Sequence, residues 1–205
     1  MIKKILKNKP LIGLILFSAI VAVINPRFLS VANILNVFRQ SSINAVIAIG
    51  MTFVILTGGI DLSVGSILAF CGAVSAAMLS SGMNPVLSLL VALVLGLFFG
   101  IVNGFLVSVM KLQAFIVTLV TMTFLRGATL VFTNGKPITV NDGGALFENI
   151  GGGYLFNIPI PIYITLILFV VGHYILTNTR FGRYTYAIGG NEEATKLSGI
   201  KVNNI

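Results

Sequence analysis

In a 205-residue chain, the stretch FVILTGGIDLSVGSILAF, residues 53–70, places one carboxylate between two apolar runs. Asp61 follows Gly58 and Gly59 and precedes Ser63, Gly65 and Ser66. That spacing suits two roles. The glycines take backbone angles that other residues avoid, so they can break a helix. Asp61 then stands at the N-cap of a helix starting at Leu62. Its oxygens accept from the amides of Ser63 and Val64 and meet the positive helix end. The other role is direct contact with a polar solute, in a broken helix that lines a transport path. A bare carboxylate in lipid costs at least about 2.5–3.5 kcal/mol, so in both cases Asp61 faces protein or water. Asn103, in GLFFGIVNG, is the second polar candidate. A hydrogen bond to a neighbouring helix and the lining of a polar path are both open for it.

Other chemistries find little support. Cys71 is the single cysteine, so there is no disulfide framework and no CxxC metal site. His173 and Cys71 are far apart in sequence, and no two acids stand at helical spacing inside an apolar run, which disfavours an intramembrane enzyme. A phosphate-binding GxxxxGK[ST] loop is missing; the nearest look-alike, NGKP, has Pro137 after its lysine. Neither a cofactor nor a metal is implied.

The elements that must position Asp61 belong to a membrane protein. Hydrophobic residues make up 57% of the chain and charged residues 9%, against about 25% charged in soluble domains. Mean hydropathy is +1.04. So little polar surface cannot cover a water-soluble globule, and the lipid bilayer is the expected solvent. The net charge of +8 does not point to nucleic acid, because the bases sit in the gaps between apolar runs. Those runs are roughly 11–24, 43–57, 66–80, 85–107, 113–132 and 158–177. The last three reach the ~20 residues that a helix needs to cross a ~30 Å core. The first could be the apolar region of a signal peptide, but with no small-x-small site near Asn25 it reads as an uncleaved anchor. Runs 43–57 and 66–80 are two short crossings or one broken element. The fold class is therefore all-α, a polytopic helical membrane protein with about six spans in one domain, 1–205.

Lysine and arginine orient it. If all six runs cross, Lys3, Lys4, Lys7, Lys9, Lys111, Arg180, Arg183, Lys196 and Lys201 lie in the cytoplasm, and Arg27, Arg39 and Lys136 lie outside. Both termini are then cytoplasmic, 133–157 is an extracytoplasmic loop, and 178–205 is a cytoplasmic region. Arg126 falls within a run and either pairs with an acid or snorkels to headgroups. Gly96, Gly100 and Gly104 share one helix face, as do Ala69, Gly72, Ala73, Ala76 and Ala77; both faces predict close helix packing. In the C-terminal segment, Asn191 caps a short helix with Glu192 and Glu193 in its first turn and Lys196 in its second, and Gly199 ends it. Ala194, Leu197 and Ile200 form its apolar side. Resting on the membrane and docking into another protein are both open for it.

The run MTFVILTGGIDLSVGSILAFCGAV strongly resembles the signature of the ribose-type monosaccharide permeases of bacterial ABC importers. AFIVTLVTMTFLRG, GKPI and TRFGRYTYAIGGNEEATKLSGI follow in that family's order, so the resemblance covers essentially the whole chain. Glu193-Ala194-Thr195, three residues and Gly199 resemble the EAA-x3-G coupling motif, with Thr195 replacing the second alanine. The related nucleoside and branched-chain amino acid permeases differ around the break, which favours a sugar. The resemblance implies a subunit of the bacterial cytoplasmic membrane, without its own ATP-hydrolysing site. A separate ABC ATPase would receive the segment Asn191, Glu192, Glu193, Ala194 and Gly199. A soluble sugar-binding protein would dock outside, and for the 133–157 loop both a part in that dock and a mobile loop with no partner are open. A second permease copy would enclose a path past Gly58, Gly59, Asp61, Ser63 and Asn103. Family members continue with further spans, so a truncated permease is expected. The rival reading is an ion-coupled secondary transporter of a small polar solute, with Asp61 as coupling site.

Overall fold

The computed structural model describes residues 9–140 and 145–204; Lys3, Lys4, Lys7 and Asp142 lie outside the described residues. Six apolar helices follow one another along the chain, most of them joined by short connections. The first, α1 (Lys9–Ile24), ends at Asn25, which caps the 3-10 turn Pro26–Leu29. Ser30 then caps α2 (Val31–Leu56), its hydroxyl accepting from the Asn33 amide. After the break come α3 (Val64–Ser80), α4 (Pro85–Ser108) and α5 (Ala114–Phe132). Asn84 caps α4 by accepting from the Val86 and Leu87 amides, and Pro85 sits at the first helical position.

The 133–157 segment has structure of its own. It carries the short helix α6 (Ala145–Gly152) and then a hairpin of β1 (Tyr154–Leu155) and β2 (Ile158–Pro159). Phe156 and Asn157 both have positive φ, as a two-residue hairpin turn requires, and Phe156 at the tip is 87% exposed. The chain continues into α7 (Ile160–Asn178), α8 (Arg180–Gly190) and α9 (Glu192–Leu197).

Four of these helices, α2, α4, α5 and α7, are each long and apolar enough to cross a membrane alone. α1 and α3, with 16 and 17 residues, are apolar but shorter. The expected short run 43–57 is instead the end of a 26-residue helix, because its polar front half is helical too. Its polar groups there are satisfied locally. Arg39 donates to Asn36 at 2.9 Å and the Ser42 hydroxyl to the Phe38 carbonyl at 2.8 Å.

The molecule turns its apolar side chains outward. Phe17, Leu93, Phe124, Val131 and Val170 are exposed, while Ser63, Ser66, Ser75, Ser88, Asn103 and Thr118 are buried. This inversion is expected where lipid gives no hydrophobic drive between helices. α3 packs against α4 and α5, and α2 packs against α7. The most buried residues of α3 are Ser66, Cys71, Ser75 and Leu79; of the predicted small face, Ala69 and Gly72 are exposed and Ala73, Ala76 and Ala77 are half-buried. Among the described residues of the single chain, no close approach along the α4 glycines is seen. A β-carbon at Gly96 would only touch the Cys71 sulfur at 3.9 Å, and one at Gly100 or Gly104 would meet nothing.

The helix ends gather in two groups. At one end, the Lys111 ammonium between α4 and α5 donates to Asn203 Oδ1 at 2.7 Å and lies 3.8 Å from Glu192. At the other, Asn25, Arg27, Asn33 and Asn36 share a cleft with Tyr154 of the hairpin.

Candidate functional site

The break sits where α2 ends. Gly58 takes φ +82°, and the amides of Thr57, Gly58 and Gly59 turn back onto the carbonyls of Phe53, Ile55 and Val54. Helical structure is lost from there to Val64. The helix thus begins two residues later than the predicted start at Leu62, and Asp61 is not its N-cap. Ser63 holds that position, in a helical conformation and without a side-chain capping bond. Asp61 makes one of the two predicted amide bonds, with Oδ1 accepting from the Ser63 amide at 2.8 Å. The same oxygen accepts from the Ser63 hydroxyl at 2.6 Å.

The Ser63 hydroxyl is where the site extends. It is fully buried, and it accepts from the Asn103 amide nitrogen at 2.9 Å. Asn103 Oδ1 in turn accepts from the Thr121 hydroxyl at 2.7 Å. A hydroxyl has one hydrogen, and that of Ser63 is committed to Asp61. Ser63 can therefore only accept from α4, which fixes the orientation of the Asn103 amide. The result is a one-way relay of donors, Thr121 to Asn103 to Ser63 to Asp61, joining α5, α4 and the entrance of α3. Each bond polarises the next in a low-dielectric interior. Thr118, a turn before Thr121, donates its hydroxyl to the Ala114 carbonyl of its own helix at 2.8 Å and lies 3.3 Å from the Ile60 carbonyl.

Of the two roles open to Asn103, these contacts are the bond to neighbouring helices. Asp61, Ser63 and Asn103 come together at the break that Gly58 and Gly59 begin. Thr118 and Thr121 went unnoticed in the sequence. Their signal was a pair of hydroxyls one turn apart in TLVTMTF, with no feature to say which helix they face. The relay uses only one Asp61 oxygen, and among the described residues no base pairs with this carboxylate. Asp61 is half-buried, so its second oxygen remains able to accept from a hydroxyl-bearing solute.

The C-terminal segment is capped at both ends. Asn191 Oδ1 accepts from the Ala194 amide at 2.9 Å, Glu192 and Glu193 occupy the first turn of α9, and Gly199 ends the segment at φ +82°. Hydrogen bonding to Lys196 holds the Glu192 carboxyl below its ordinary range. The residue that α9 turns inward is polar. Thr195 is buried, its hydroxyl donating to the Asn191 carbonyl at 2.7 Å. Ala194 is exposed and Leu197 is 90% exposed, so the apolar side points away from the bundle.

The chain matches a family model described as branched-chain amino acid transport system / permease component over residues 33–205. It is 54% identical over 203 residues to the ribose import permease protein RbsC of Haemophilus influenzae, covering 98% of this chain and 63% of that protein. Its identity to the Escherichia coli K12 ribose import permease protein RbsC is 46% over 203 residues, with the same coverage. The Bacillus subtilis protein of that name is 50% identical over 199 residues, covering 97% of this chain and 62% of that protein. The chain therefore spans somewhat under two thirds of these curated relatives. No solved structure matches it.

Proposed function

The chain belongs to the branched-chain amino acid transport system / permease component family, and from that membership we propose that it is the membrane-spanning subunit of an ABC importer for a monosaccharide resembling ribose. The observation that carries the sugar is the high identity to ribose import permeases over nearly the whole chain. The site supports it. A carboxylate oxygen beside a relay of hydroxyl and amide groups, held at a helix break, is chemistry that recognises hydroxyls.

In this reading the subunit hydrolyses nothing itself. A separate ATPase takes α9, whose exposed Ala194 and Leu197 enter a groove in that partner. A binding protein delivers sugar to the face carrying the 154–159 hairpin. Two copies enclose the path, both termini of the chain lie in the cytoplasm, and the membrane is the bacterial inner one.

The test co-expresses the permease with an ATPase subunit and a sugar-binding protein of the ribose type, and measures uptake of labelled ribose and of labelled leucine. Ribose should accumulate and leucine should not. Leu197→Asp changes only an exposed side chain, so it should leave the permease in the membrane while ending co-purification of the ATPase and uptake. Leucine uptake would replace the sugar assignment. Ribose uptake driven by an ion gradient without the ATPase would establish the secondary transporter.

A further inference from the structure

α8 lies across the end of α2 and touches it twice. Near the start of α8, the Phe181 ring stands 6.1 Å from the Phe53 ring. Near its end, a β-carbon built on Gly189 would overlap the Leu56 carbonyl oxygen and fall 3.0 Å from its carbon. Only an α-hydrogen fits there, as in the Cα–H···O contacts of closely packed helices. At Gly190 a β-carbon would meet nothing within 4 Å, so the need for glycine is confined to position 189.

Both neighbours of this contact matter. Leu56 is the last residue of α2, and the irregular segment that carries Asp61 follows directly. On the other side, α8 joins α9 through the single residue Asn191. The Asn191 amide donates to Ala187 in the last turn of α8, and the Asn191 side chain caps α9. A displacement of α9 therefore moves α8, and α8 presses on the backbone from which the break begins.

We infer that α8 is the transmission element between α9 and the helix break, and that Gly189 is the positioning residue that seats it on α2. The inference rests on the reading of α9 as the ATPase contact. A side chain at 189 would hold α8 off the Leu56 carbonyl while leaving the exposed face of α9 unchanged.

Ile60, next to Asp61, is 51% exposed and reports on the break. Ile60→Cys in a Cys71→Ala background would be labelled with a small thiol reagent, in membranes holding the permease and its ATPase, with and without a non-hydrolysable ATP analogue. Nucleotide should change the labelling rate by about fivefold or more, the lower end of typical coupling between sites. Gly189→Ala should bring that ratio to about one with the ATPase still co-purifying, while Gly190→Ala keeps the parent ratio. A parent ratio retained in Gly189→Ala overturns the inference. So does a parent that binds the ATPase but shows no nucleotide effect. If Gly189→Ala fails to accumulate, Phe181→Ala decides, and an undiminished ratio there overturns it. Failure of the ATPase to co-purify with the parent removes the importer reading instead, and this inference with it.

Discussion

Asn103→Leu keeps the approximate volume of the side chain and removes both relay bonds that it makes, to Ser63 at 2.9 Å and from Thr121 at 2.7 Å. Side-chain hydrogen bonds between membrane helices average about 0.6 kcal/mol and reach about 1.7. Two such bonds predict a loss of about 1–3 kcal/mol. Relaxation pulls the value to the lower half of that range. Ser63 keeps its bond to Asp61, and Thr121 can turn its hydroxyl to a carbonyl of its own helix. The diagnostic quantity is the coupling. Thr121→Val combined with Asn103→Leu should cost less than the separate losses together, by about 0.6–1.7 kcal/mol, because both remove the same bond. Reversible unfolding of the purified protein in mixed micelles, titrated with a denaturing detergent, measures all four members of the cycle. Additivity to within about 0.3 kcal/mol, the behaviour of independent sites, would refute the relay.

Asp61→Asn keeps an acceptor for the Ser63 amide and hydroxyl but loses the charge, whereas Asp61→Leu loses both; in uptake-competent membranes Asn should retain more folded permease and more ribose uptake than Leu. Normal assembly with abolished uptake in Asp61→Asn would show that the charge itself meets the solute. Single cysteines at Ser30, Asn149 and Asn191 in a Cys71→Ala background, exposed to an impermeant thiol reagent outside intact cells, should label at the first two positions only; labelling at Asn191 would reverse the proposed orientation.

The elements were legible where apolar run and helix coincide, as at 85–107 and 113–132, and in the capping residues Asn191 and Gly199, whose signals are local. They were not legible at the front of α2. There Asn33, Asn36, Arg39 and Ser42 interrupt the apolar run, and only the folded chain shows them satisfied by groups close by in sequence. The expected helix start at Leu62 missed by two residues for a related reason. Spacing identifies a residue able to cap, but here the acid bonds Ser63 outside the helix, and Ser63 is held by a residue 40 positions away. Which face of α9 turns inward was equally beyond a six-residue helix whose one buried side chain, Thr195, is polar.

The same 40-residue separation between Ser63 and Asn103 has a consequence for biogenesis. α3, at 17 residues, is about 26 Å long, short of the ~30 Å core, and its entrance carries the acid. When α3 leaves the ribosome, the amide that will hold Ser63 is still behind it in the chain. α3 is poorly suited to enter lipid alone, since a polar group without its partner is costly there. α4 is longer, strongly apolar and joined to it by the tight turn 81–84, with Gly82 at φ +79°. The two should therefore enter the bilayer as a helical hairpin, α4 supplying the hydrophobic drive and carrying Asn103 to the acid-bearing end. Synthesis of α5 then adds Thr118 and Thr121, and the break closes only after both later helices have arrived.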